Sequence, residues 1–207
     1  MKLHRALALA AVLTAAGAVA FAQDSTANGA AAPASERFAA CLACHGERGV
    51  STLPLTPSLA GQPSFYAITQ LFLFREGRRR NEAMTAVAKG MSDADLRAFS
   101  ELIAKLPAPP AASGGDAARS ARGAAIAQRL HCASCHGADY AGGQQVARLA
   151  GQREDYLNKA LAEFRAGTRV GYTGAMNEAL AGAQPDELGD LAHYLANYVA
   201  NFKKPAQ

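Results

Sequence analysis

Cys41-Leu42-Ala43-Cys44-His45 and Cys132-Ala133-Ser134-Cys135-His136 are two copies of one pattern, and together they contain all four cysteines of the chain. On a helical turn, the first cysteine and the histidine of each copy share a face, because residues four apart are neighbours. The two thiols can then form thioethers with the vinyl groups of one porphyrin, while the imidazole reaches the iron from the same side. The pattern therefore predicts two covalently bound haem c groups, with thioethers at Cys41, Cys44, Cys132 and Cys135 and iron ligands at His45 and His136.

Three other roles for these cysteines fit less well. A four-cysteine zinc site would join pairs that lie too far apart in the chain and would not explain the histidines. Thioredoxin-like redox pairs need a βαβ setting, and no strand-like run flanks either copy. Disulfides within each pair suit an oxidising compartment, but they would form tight loops and would also leave a histidine unexplained.

The first 22 residues have the pattern of a secretory signal peptide. Lys2 and Arg5 make a basic start, an apolar stretch runs from Ala6 to Ala20, and Ala20-Phe21-Ala22 is a small-x-small cleavage site. The apolar stretch is shorter than the roughly 20 residues of a membrane-spanning helix. We therefore expect a mature chain that begins at Gln23, has no transmembrane segment and is exported to a bacterial periplasm.

The composition suits a globular protein. Half of the 207 residues are hydrophobic and 18% are charged, which excludes disorder of the whole chain. The 21 basic and 17 acidic residues are interspersed and give a formal charge of only +4, which excludes a nucleic-acid binder. Aromatic residues make up only 7% of the chain and tryptophan is absent, so a covalent porphyrin would supply bulk that small cores otherwise lack.

An internal repeat divides the mature chain into two homologous halves. Residues 59–79 and 149–169 are identical at 10 of 21 positions, including a Leu-Ala-Gly-Gln tetrad in each. Between the halves, residues 107–116 carry three prolines and two glycines, which predicts a semi-extended, solvated linker. We therefore expect a flexible N-terminal segment at 23–34, a first domain at 35–106 and a second domain at 117–207.

The hydrophobic periodicity is helical in both halves. Pro63 suits the first turn of a helix, and Ser92 with Asp95 resembles a capping box that opens the last helix of the first half. Pro185 opens the matching helix, which we expect to run through Tyr198. Each half is therefore predicted to contain three or more short helices around a haem.

The repeat also selects the sixth iron ligands. Aligning the last helices of the halves places Met84 on Met176, whereas Met91 falls on Ala183. Methionine usually fills a core, and that role fits Met91. The paired positions favour Met84 and Met176 as ligands, because histidine with methionine is a standard axial pair for a high-potential haem.

With these motifs the sequence resembles the cytochrome c4 family, exported di-haem cytochromes made of two class I cytochrome c domains. The resemblance rests on both Cys-x-x-Cys-His-Gly motifs, Pro57-Ser-Leu-Ala-Gly-Gln62, Tyr66, the run from Phe74 to Arg79 and their second-half counterparts. It implies an all-α fold of two tandem class I cytochrome c-like domains, each wrapped around one covalent haem. It also implies that the Pro57 carbonyl accepts the N–H of the ligand imidazole, with Ala147 taking that place in the second half.

Two arginines recur at matching positions and have two candidate roles. Arg79 belongs to the densest charge cluster, Arg78 to Arg80, which fits a solvated face. Arg169 repeats Arg79, and a guanidinium beside a haem propionate would neutralise it through charge-assisted hydrogen bonds. Tyr66 and Tyr156 could reach a propionate in the same way or fill the core.

The family resemblance implies electron transfer between a membrane quinol-oxidising complex and a terminal oxidase or reductase, or service as the haem subunit of a dehydrogenase. An iron with histidine and methionine on both axial positions has no open site for a substrate. We therefore expect an electron-transfer protein with redox protein partners rather than an enzyme, and peripheral association with a membrane stays open. The alternative is a di-haem peroxidase, a sulfur-compound dehydrogenase or the haem subunit of one.

Overall fold

The computed structural model describes residues 32–110, 115–169 and 174–198. The predicted signal peptide, most of the N-terminal segment and residues 199–207 lie outside this range. Every helix or strand element in the described part is an α-helix, and an isolated bridge joins Gly143 to Val146. The all-α prediction is confirmed. None of the described helices has the length and apolar character needed to cross a membrane.

The first half is built from four described helices: α1 (Ala34–His45), α2 (Ser64–Arg75), α3 (Glu82–Ala88) and α4 (Asp93–Lys105). The predicted capping box is present at the start of α4. The Ser92 hydroxyl accepts the Asp95 N–H at 3.2 Å, and the Asp95 carboxylate accepts the Ser92 N–H at 2.9 Å. These bonds satisfy backbone donors that the first helical turn leaves unpaired, so α4 begins at Asp93.

The second half has five described helices: α5 (Ala117–Arg129), α6 (Cys132–His136), α7 (Glu154–Arg165), α8 (Ala175–Leu180) and α9 (Glu187–Ala196). The second cysteine motif forms its own short helix because His131 adopts a left-handed backbone conformation, with φ 53°, between α5 and α6. The first motif instead ends the continuous helix α1. Helix α9 begins two residues after Pro185 and is shorter than predicted.

Each half has its own hydrophobic core. In the first half, Phe38 stacks on Phe99 with ring centroids 6.3 Å apart, and α2 packs against α4. In the second half, α9 packs against both α5 and α7, and its Leu191 and Leu195 are fully buried. The two cores are separate clusters, which agrees with the two repeats of the sequence.

The halves meet through the glutamines of the two Leu-Ala-Gly-Gln tetrads. The Gln62 carboxamide donates to the Arg148 carbonyl and accepts the Arg148 N–H, both at 3.0 Å. The Gln152 carboxamide makes the same pair of bonds with Ser58, at 2.8 and 2.7 Å. Because Ser58 and Arg148 are equivalent positions of the repeat, the contact has approximate two-fold symmetry.

The linker is less solvated than its composition predicts. Pro109 is buried and faces Gly151, while Ala108 faces Gly61. A side chain at either glycine would lie about 3 Å from the linker, and both glycines have the positive φ that other residues rarely adopt. The tetrad glycines therefore allow close packing of the described linker residues.

Candidate haem sites

Both motif histidines are buried and held by a backbone carbonyl. The Nδ1 atom of His45 lies 2.7 Å from the Pro57 carbonyl oxygen, and that of His136 lies 2.8 Å from the Ala147 carbonyl oxygen. A carbonyl only accepts, so Nδ1 carries the proton and Nε2 keeps its lone pair for a metal. Burial lowers the pKa of both histidines, although the carbonyl partners oppose the shift. Both rings are therefore prepared as neutral ligands.

The second half makes this contact without a proline. The two Nδ1-to-oxygen distances differ by only 0.1 Å although Ala147 replaces Pro57. The contact expected from the family resemblance is confirmed, and it depends on the position of the carbonyl rather than on the proline ring.

The four cysteines form no disulfide bond and fall into two environments. Cys41 and Cys132 are half-buried and pack against the cores of their own halves, whereas Cys44 and Cys135 are exposed. Burial raises the pKa of both Cys41 and Cys132. Three or more His, Cys, Asp or Glu side chains do not group as a metal site anywhere in the described residues.

The two candidate ligand methionines occupy corresponding places. Met84 lies in the first turn of α3, where its N–H donates to the Asn81 side chain at 2.9 Å. Met176 lies in the first turn of α8. Each packs against the core that also contacts the first cysteine of its own half. Met91 packs against the first core as well, so burial alone does not separate it from Met84 and the ligand pair stays a prediction.

Arg79 and Arg169 come together around one phenol. The Tyr156 hydroxyl accepts from Arg79 Nη2 at 2.7 Å and from Arg169 Nη2 at 3.2 Å. Tyr66 interacts electrostatically with the same groups. We call Tyr66, Arg79, Tyr156 and Arg169 the arginine–tyrosine cluster. The sequence gives each half one arginine at a matching position, but it does not show that both arginines meet between the halves.

This cluster has more positive than negative charge. Burial alone would raise the pKa of Tyr156, but the two guanidinium groups lower it to about 8. Arg169 is 8% exposed, and its nearest carboxylate, Glu163, is 3.9 Å away. A buried cation whose ion pair is this long is incompletely compensated, and that is costly. An anionic group such as a haem propionate therefore fits this site.

Two features near the sites escaped the sequence analysis. The tetrad glutamines were noted only as identities, although their repetition was the available signal of a shared contact. His193 is buried, and its Nδ1 lies 2.8 Å from a Glu154 carboxylate oxygen. It therefore belongs to a polar contact between α7 and α9.

Comparison with known proteins identifies the family. The Cytochrome c family profile matches residues 120–198. The chain is 33% identical over 166 residues to cytochrome c4 of Thiocapsa roseopersicina, covering 75% of this chain and 85% of that relative. The chain belongs to the cytochrome c4 family. It is also 34% identical over 169 residues to a thiosulfate dehydrogenase electron acceptor of Stutzerimonas stutzeri, covering 76% of this chain and 78% of the relative.

The structural comparison agrees with membership of the cytochrome c4 family. The Acidithiobacillus ferrooxidans cytochrome c4 structure has a TM-score of 0.69 and 30% sequence identity, over 77% of this chain and 99% of that chain. The fold is therefore that of tandem class I cytochrome c domains, and the chain is a di-haem electron-transfer protein with covalently bound haem c. These findings confirm the fold, cofactor and electron-carrier predictions.

Proposed function

We propose that this cytochrome c4 passes single electrons through two centres of the same design. A haem c group supplies a one-electron iron couple at each centre. The covalent attachments are Cys41 and Cys44 in the first half and Cys132 and Cys135 in the second. His45 with Met84 and His136 with Met176 would hold the two irons.

The observation that carries this assignment is the pair of histidine-to-carbonyl hydrogen bonds. Each bond fixes the ring orientation and leaves Nε2 as the ligating atom. A methionine on the opposite side raises the reduction potential and fills the last coordination position. With protein ligands at both remaining coordination positions, the iron would have no open position for a substrate. The residues of the chain would therefore hold each haem and exclude water from it.

The arginine–tyrosine cluster supports propionate binding between the halves. Arg79 and Arg169 both reach Tyr156, so two propionates at this place would be neutralised by the same two guanidinium groups. We therefore propose electron exchange between the halves through this region, with the domain boundary in residues 107–116.

We further propose that the protein works in the periplasm, between a membrane quinol-oxidising complex and a terminal oxidase or reductase. The signal-peptide pattern of residues 1–22 supports export, and the family resemblance supports the respiratory role. The test is reduction of the purified holoprotein by quinol-oxidising membranes, followed by its reoxidation by oxidase-containing membranes. Failure of either half-reaction would contradict the proposed place of this protein in respiratory electron transfer.

A second candidate is the role of electron acceptor for a dehydrogenase. The relative from Stutzerimonas stutzeri with that description supports it. Stopped-flow reduction of the holoprotein by a purified thiosulfate dehydrogenase with thiosulfate would test it. Reduction that saturates with enzyme concentration would favour this role, whereas no reduction above the rate with thiosulfate alone would contradict it.

A further inference from the structure

Large exposed hydrophobic side chains are distributed unequally between the halves. Among the described residues they are Leu53, Leu55, Phe65, Phe72 and Val87, and all belong to the first half. Phe65 is 53% exposed and Phe72 is 38% exposed. Single exposed apolar residues are normal on a protein surface, but this set is confined to one of two homologous halves.

Phe65, Ile68 and Phe72 form a stripe on α2, in which Ile68 is partly buried against the first core. They lie three and four residues apart, so they share one face of the helix over a length of about 10 Å. The equivalent positions of α7 are Asp155, Asn158 and Ala162. The homologous half thus folds with polar or small residues at these positions, so the helix packing of a half does not require aromatic residues there.

The C-terminal end of the stripe is basic. The Arg75 guanidinium lies 5.5 Å from the Phe72 ring centroid and is paired with Asp93 and Glu76. Just beyond it, Arg78 and Arg80 are exposed and form no ion pair within the described ranges. We call Phe65, Ile68, Phe72, Arg78 and Arg80 the aromatic–arginine face. Its unpaired charge is positive.

We propose that the aromatic–arginine face docks a protein redox partner whose contact surface has an apolar centre and a rim of carboxylates. This proposal rests on the proposed carrier function, which requires protein partners. Aromatic residues and arginine are enriched at the energetic centres of protein interfaces, and a carboxylate rim complements Arg78 and Arg80.

The test uses a gold electrode coated with a mixed monolayer of carboxylate-terminated and methyl-terminated alkanethiols, which reproduces this partner chemistry. The variant Phe65→Asp/Phe72→Ala gives α2 the residues that α7 carries. We expect its adsorption constant on the mixed monolayer to fall by about tenfold or more, because two aromatic contacts are lost. The control Ala162→Asp, at the equivalent exposed position of α7, should adsorb like the wild type.

A second variant separates the loss of docking from a loss of folding. Arg78→Gln/Arg80→Gln changes only exposed side chains, and it should weaken adsorption at low salt and lose that difference at high salt. Equal adsorption of both double variants and the wild type would overturn the proposal. So would binding to vesicles of phosphatidylglycerol and phosphatidylethanolamine without adsorption on the mixed monolayer, since that result would indicate a membrane surface.

The proposed carrier function has a separate readout in the same samples. Reversible reduction in solution by ascorbate and reoxidation by ferricyanide require no docking face. If the variants lose adsorption but keep this reversible cycle, the docking proposal stands with the carrier function. If the wild type adsorbs through this face but does not cycle, the carrier function fails and the docking face does not.

Discussion

Gln62 and Gln152 bind equivalent backbone positions in opposite halves. Each carboxamide pairs with both the N–H and the carbonyl of one residue, Arg148 for Gln62 and Ser58 for Gln152, at distances between 2.7 and 3.0 Å. Both glutamines are at least 94% buried, with exposures of 6% and 5%. The repeated tetrad is therefore explained by the contact between the halves as well as by the fold of each half.

Replacing Gln152 by Ala should destabilise the holoprotein. The change leaves the buried Ser58 N–H and carbonyl without their partners, and each unpaired group costs about 1–3 kcal/mol. We expect the free energy of unfolding to fall by about 2 kcal/mol or more in guanidinium titrations. Gln128→Ala, at an exposed position of α5, is the matched control. Equal stability of the two variants would show that the glutamine contact contributes little.

The ion pair between Arg37 of α1 and Asp95 of α4 predicts a contribution to folding stability that depends on pH. Hydrogen bonds from Arg37 and Ser92 hold the pKa of Asp95 well below its usual range. A carboxyl whose pKa is lower in the folded state stabilises the fold above its ordinary pKa, and it loses that effect as the pH falls toward the folded value.

Asp95→Asn should therefore unfold at lower denaturant concentration than the wild type at pH 7, and the difference should shrink at pH 3. Guanidinium titrations at the two pH values measure it. Asp186→Asn, which removes a carboxylate without an ion pair in the described part of the chain, should show no such pattern. A difference that is unchanged at pH 3 would mean that the carboxylate charge is not responsible.

The assignment of the methionine ligands predicts different spectra for three single variants. Met84→Ala and Met176→Ala should each remove the weak far-red methionine–iron charge-transfer band of one haem and lower the potential of that haem, because a thioether favours ferrous iron. Met91→Ala should leave both bands in place. Spectra and redox titrations of the three variants measure this. Loss of a band in Met91→Ala but not in Met84→Ala would reverse the assignment in the first half.

Features set by short stretches of sequence were predictable. The cysteine motifs, the helical class and the capping box at Ser92 depend on residues within five positions of one another. The sequence could not show that Arg79 and Arg169 share Tyr156, because that meeting depends on how two folded halves pack. The burial of Pro109 has the same origin, since the small tetrad glycines let the linker approach.

The break before the second motif escaped prediction for a different reason. His131 takes a left-handed conformation that single residues other than glycine adopt only uncommonly, and the sequence gives no glycine or proline there. The corresponding residue of the first half, Ala40, lies inside α1. Local propensity alone therefore predicts the same helix at both motifs, whereas the first motif ends a continuous helix and the second forms a separate short one.

The central claim is that both irons are six-coordinate, with His45/Met84 and His136/Met176 as the ligand pairs. An equilibrium redox titration combined with a carbon monoxide difference spectrum of the reduced holoprotein tests it most directly. We predict two resolvable, high-potential one-electron couples, low-spin spectra in both oxidation states and slow or absent carbon monoxide binding at neutral pH. A high-spin haem that binds carbon monoxide rapidly would contradict the account and favour an enzyme with an open coordination site.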